Sequence, residues 1–226
     1  HFMENHCGLD GGAIASGNHT RMILADCRFI SNSAESSCGA IGITGKTDEE
    51  ASKAKFQHVT FIGNHCKNDG GAIASGGHSQ MIFEECRLEN NYSEGSCGSI
   101  GILGYDKKNR SDATFSKVAF IGNHCAIDGG AMVIGRFSRT KFEKCIFEGN
   151  QAEKKTGGAI LILGQDSSSV SIADFQEVIF RKNQCYVDGG AINVNIYSQA
   201  SFRNCLFEDN VAMKKNGGAI VLLGKD

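Results

Sequence analysis

Histidine, cysteine and aspartate recur together at one fixed spacing: His6, Cys7 and Asp10; His65, Cys66 and Asp69; His124, Cys125 and Asp128; and, with glutamine in place of histidine, Gln184, Cys185 and Asp188. These residue types could ligate zinc, and a row of carboxylates could supply the acid and base of a glycan-cleaving enzyme. The pattern favours neither. Adjacent residues of an extended strand point to opposite faces, which is poor geometry for His and Cys to share an ion, so no metal site is expected. The four aspartates are equivalent copies, whereas a catalytic centre should break a repeat with a unique cluster of acid, base and arginine or metal. An Asp just before Gly is more simply a turn residue. No catalytic or cofactor-binding residue is expected.

The ten cysteines allow two readings. Cys7, Cys66, Cys125 and Cys185 are each followed 20 residues later by Cys27, Cys86, Cys145 and Cys205. Alternate units carry Ala34, Ser93, Ala152 and Ala212, or Val59, Val118 and Val178, at the equivalent places. Small apolar replacements favour inward-facing free thiols acting as small hydrophobes. The sharper alternative is four disulfides, Cys7–Cys27, Cys66–Cys86, Cys125–Cys145 and Cys185–Cys205, because both partners appear in the same units. Cys38 and Cys97 replace the first glycine of a Gly pair two units apart, too far for a bond between them. Asn18 in N-H-T and Asn109 in N-R-S match the glycosylation acceptor pattern and fall in expected loops. Asn91 matches too, but its place at a corner argues against modification.

What positions these residues is a repeat. The first residue of F-x-x-N falls at Phe2, Phe29, Phe61, Leu88, Phe120, Phe147, Phe180 and Phe207, with intervals of 27, 32, 27, 32, 27, 33 and 27. Each copy is followed by a looser G-G-A-I motif, and the longer intervals place their extra polar residues after it, from Gly45, Gly104 and Gly164. Double units are expected at about 1–60, 61–119, 120–179 and 180–226 in a single array covering 1–226. Both ends fall inside a unit, so the sequence is expected to be an excerpt of a longer chain.

A unit this short cannot bury its own apolar face; stacked on copies of itself, it can. The fold expected is all-β, a right-handed parallel β-helix, or β-solenoid, of about eight coils with alternating 27- and 32-residue lengths. At roughly 4.8 Å per coil the rod would be about 40 Å long. Thirteen of the fourteen Phe residues fall in two columns, Phe137 being the exception. The spacing within F-x-x-[C/V]-x-F predicts a small bend or bulge inside one strand. Asn5, Asn32, Asn64, Asn91, Asn123, Asn150, Asn183 and Asn210 should form a hydrogen-bonded ladder at a corner, where Asn tolerates left-handed angles. Departures from the repeat, namely Arg136 with Phe137, Asn193 with Asn195, and Tyr105, are expected to be surface variation.

Paired G-G-A-[ILM] and F-x-x-N motifs in this order resemble the passenger repeats of the chlamydial polymorphic membrane proteins, with related repeats in some protist surface proteins. The resemblance spans essentially the whole chain. It implies a surface-exposed β-helix, in the chlamydial case exported by an autotransporter barrel and used in adhesion.

A formal charge of −2 and intermingled signs give no reason to expect nucleic acid or direct membrane insertion, and no apolar run approaches the length of a spanning helix. Cysteine abundance fits an extracellular or cell-surface location. The function expected is a non-enzymatic structural or adhesive rod, able to stack into filaments, whose partners are other protein chains or surface glycans. The alternative is a β-helix polysaccharide lyase or glycoside hydrolase.

Overall fold

A computed structural model describes residues 1–45 and 51–224. Their strands are short because each coil turns sharply several times. The third coil illustrates the plan, with strands Thr60–Ile62, His65–Cys66, Ile73–Gly77 and Ser79–Glu84. Each strand pairs in parallel with its equivalent in the next coil, giving three sheets of eight strands and a fourth of seven. We number them first to fourth in the order met along a coil. The register matches like with like: Phe29 faces Phe61, Ile73 faces Ile100 and Phe83 faces Phe115. The chain is therefore an all-β parallel solenoid of eight coils.

Identical side chains stack through the interior. Phenyl rings in the two Phe columns lie 4.4–5.1 Å apart and nearly parallel, for example Phe120 over Phe147 at 4.4 Å and Phe175 over Phe202 at 5.1 Å. The two columns meet edge to face, as where Phe115 and Phe120 sit 5.7 Å apart. Leu88 interrupts the second column between Phe61 and Phe120. Ile41, Ile73, Ile100, Met132, Ile160 and Ile192 complete the buried wall opposite.

Corners, not bulges, separate the strands. The segment expected to hold a bulge instead passes from the fourth sheet to the first through one left-handed residue: Asp26, His58, Glu85, Lys117, Lys144, Glu177 and Asn204 have φ of 52–55°. A second corner lies just before each ladder asparagine, at Glu4, Ser31, Gly63, Asn90, Gly122, Gly149, Lys182 and Asp209. The ladder asparagines are not themselves left-handed, contrary to the sequence expectation. The preceding residue turns the backbone, and the Asn side chain ties the turn to its neighbours.

The third corner holds the Gly pair. Its first member is left-handed in every coil, including the two where Cys38 and Cys97 take the place of glycine. At the second member the coils touch: a Cβ on Gly71 would stand 2.1 Å from the Gly98 carbonyl oxygen. Only glycine permits that approach.

Candidate functional site

The first four coils carry only small side chains at the outward position after each G-A-I isoleucine: Ala15, Gly42, Ala74 and Gly101. Coils five and six place Val133 and Leu161 there. Two residues further on, Gly17 and Gly76 also face outward, and a Cβ on either would meet no atom within 4 Å. The step from small to large leaves a groove of about 880 Å³ along the outer face of the third sheet. One long side is formed by Asp10, Ser37, Cys38, Asp69 and Cys97. Beyond Leu103 and Leu163, Arg136 and Gln165 close the far end, and Arg136 Nη1 donates to Gln165 Oε1 at 2.7 Å. Sequence reading passed over Arg136 as surface variation. The outward column of small residues was visible as the residue after each isoleucine.

The aspartates of the recurring motif act between coils. Asp10 Oδ1 accepts the Ser37 N–H at 2.7 Å, Asp69 the Ser96 N–H at 2.7 Å, and Asp188 the Asn216 N–H at 2.8 Å. Asp128 accepts both the N–H and the hydroxyl of Thr156, each at 2.9 Å. Each carboxylate of an odd coil thus braces the turn of the following even coil. The histidines lie on the outer face of the second sheet, where Tyr92 stacks between His65 and His124 at 5.4 and 4.4 Å. The neighbouring cysteine in each pair points the other way and is buried in Cys66 and Cys125. No group of three or more His, Cys, Asp or Glu poised for a metal occurs among the described residues.

All ten cysteines are free thiols. The pairs Cys7–Cys27, Cys66–Cys86, Cys125–Cys145 and Cys185–Cys205 are not brought together, because their columns belong to different packing regions. Cys86 and Cys145 lie in the main phenyl-rich core with Cys27 and Cys205 against it, whereas Cys125 and Cys185 pack with Ala152 in a separate small cluster under the second sheet. Burial pushes the thiols of Cys66, Cys125 and Cys145 up to about 12.

Of the two glycosylation candidates, Asn18 is exposed in the turn after the first G-A-I strand. Asn109 is not a free loop amide: it is only 4% exposed, and its Nδ2 and backbone N–H both donate to the Asp106 carboxylate. Asn193, expected at the surface, is likewise buried.

The asparagine ladder runs the length of the rod. Asn64 Nδ2 donates to Asn91 Oδ1 at 2.9 Å and to the Phe29 carbonyl at 3.0 Å, and Asn91 Oδ1 also accepts the Asn64 N–H at 3.0 Å. The same set recurs from Asn32 to Asn183, so donors and acceptors are matched with no water needed. A second polar column was not foreseen. Ser52, Ser79, Ser111, Ser138 and Ser171 open the fourth-sheet strands, buried, with hydroxyls bonded largely to third-sheet and corner carbonyls. Their recurrence before each F-x-x-[C/V] segment was the available signal.

Three stretches of the chain, residues 58–76, 144–162 and 204–222, match the model of the Chlamydia polymorphic membrane protein repeat. At these three places the chain is similar to that repeat. Each match begins on a left-handed corner residue, His58, Lys144 or Asn204, and ends at or inside the following third-sheet strand, so the family repeat corresponds to three sides of one coil. Together the matches cover roughly a quarter of the chain. No curated protein and no solved structure matches it. No helix among the described residues is long and apolar enough to cross a membrane.

Proposed function

We propose that this Pmp-like chain is a non-enzymatic, surface-exposed rod, passenger-like in its role, that makes structural or adhesive contacts along its side. The observation that carries this reading is the unbroken register of the coils, in which the recurring Asn, Asp and Ser side chains are bonded to the neighbouring coil. Carboxylates already holding backbone N–H groups are poorly placed to act as acid and base on a glycan. The side of the rod offers what an adhesive surface needs: repeating outward columns of mixed charge, with loops projecting from alternate coils. Partners on this reading are other protein chains or surface glycans.

Deleting residues 61–119 tests it. The deletion joins Thr60 to Phe120, restores the wording F-I-G-N-H-C at the junction, and should give a folded rod shorter by two coils, about 10 Å. Antibody against the chain should label intact producing cells, and the shortened rod should keep part of its binding to target cells. Complete loss of binding by a folded deletion, or turnover of acidic glycans by the intact chain, would overturn the proposal.

A further inference from the structure

We propose that the groove over the third sheet binds a single-chain anionic amphiphile, an aliphatic chain ending in one carboxylate, with its head at Arg136 and its tail lying towards Ala15. The inference does not depend on the rod being adhesive.

The floor selects the tail. From the second coil on, the third-sheet strands under the groove are paired in parallel with the coils before and after them, so this face presents side chains and Cα atoms with no free ladder of donors and acceptors. An extended peptide laid across this face would lose water from its backbone without gaining partners, because the only edges of the sheet are its two end strands, Ile14–Ser16 and Ile220–Leu222, and the groove floor between coils offers none. A sugar would lack the aromatic faces and convergent polar groups it needs, because no aromatic side chain lines the groove. An alkyl chain has no such requirement. The glycines and alanines of the first four coils let it lie close to the sheet, and Val133, Leu103 and Leu163 shoulder its upper part.

The charges select the head and its direction. Among the described residues Arg136 forms no ion pair; the one hydrogen bond of its side chain is to the neutral Gln165, and its Nε is buried without a partner. The opposite end and one long side carry Asp10 and Asp69, which would repel an anionic head and leave Arg136 as the place for it. From coil five back to coil one is four spacings, about 19 Å, the reach of a long-chain fatty acid.

Calorimetric titration of the intact chain with monomeric palmitate, with hexadecanol and with phosphatidylglycerol vesicles tests this. Palmitate should bind at one site per chain, and hexadecanol at least 10-fold more weakly. Arg136→Gln, which removes the cation at the groove's end, should weaken palmitate at least 10-fold. Ala74→Leu with Gly76→Leu, which gives the third coil the outward residues of the sixth, should abolish binding while the Tm stays within a few degrees. Failure of palmitate to bind, binding unchanged in Arg136→Gln, or binding to vesicles alone would overturn the proposal. If the double variant does not fold, the arginine variant still decides.

Discussion

Asn123 reaches Asn150 twice: its Nδ2 lies 3.1 Å and its backbone nitrogen 3.0 Å from the same Asn150 Oδ1. The second Nδ2 hydrogen goes to the Leu88 carbonyl in the coil before, at 2.9 Å. One buried side chain therefore links three coils.

Replacing Asn123 with alanine should destabilise the rod by about 2–4 kcal/mol in chemical denaturation, since it strands buried donors and acceptors on both sides. Asn123→Asp is the sharper test. A carboxylate there would face Asn150 Oδ1 with no proton to give, whereas the neutral acid can still donate once. The folded state must therefore raise that carboxyl's pKa, so the variant should regain stability as pH falls below 5 and lose it again as pH rises. Denaturation midpoints at pH 4 and pH 7 measure it; a variant more stable at pH 7 than at pH 4 would contradict the ladder's role.

Cys97 and Gly101 fit one another. A Cβ on Gly101 would meet Cys97 Sγ at 3.2 Å, and Gly42 stands in the same relation to Cys38 at 3.4 Å. Coils with glycine in the cysteine position carry a larger residue four places on, as Gly129 does with Val133. Gly101→Val alone should cost about 1–3 kcal/mol through crowding. Adding Cys97→Gly should recover most of that, because the pair then has the pattern of the fifth coil. A double-mutant cycle with additive effects would show that the two sites are independent.

Much of this was legible in the sequence, for a physical reason. In a solenoid each side chain sits on its own copy, so periodicity alone locates the Phe columns, the isoleucine wall and the Asn ladder. What escaped were features that depend on direction rather than recurrence. The bend near Phe83 and Leu88 is a single left-handed residue, Glu85, whose type carries no left-handed signal. The groove depends on which way Ala74 and Gly76 point and on what stands two or three coils along, and Arg136 gains meaning only from lying at its end. The cysteine columns share a 20-residue spacing, yet a corner sends them to different packing regions.

Phe120 lies stacked on Phe147 at 4.4 Å and edge-on to Phe115 at 5.7 Å, with no exposed surface. Phe120→Ala should cost about 3–5 kcal/mol, the usual price of emptying a ring-sized site in a close-packed core. Phe2→Ala, at a partly exposed position in the first coil, should cost much less. Phe2 is likewise stacked, on Phe29 at 4.5 Å, so the two variants differ in burial; parallel urea titrations compare them, and equal losses would mean that burial in the interior column does not set the cost.

The buried thiols set an alkaline limit on the fold. Burial holds Cys38, Cys66, Cys125 and Cys145 at about 12, and Cys86 and Cys185 at about 11, against an ordinary thiol value of 9.0. A folded-state pKa raised above the unfolded one means that the stability is fully present below pH 9 and is lost as pH climbs towards 11–12. Each thiol contributes about 1.4 kcal/mol per pH unit across that window. The buried thiols should therefore resist thiol reagents at pH 8 until denaturant is added, unlike the partly exposed Cys7, Cys27 and Cys205, and the rod should unfold cooperatively on the alkaline side. Replacing Cys66 and Cys125 by alanine, the residue that coil six places in the same column at Ala152, removes two of these groups with little repacking. Circular dichroism across pH 8–12 should show the alkaline midpoint of this variant moved upward; an unchanged midpoint would assign alkaline unfolding to lysine and tyrosine ionisation instead.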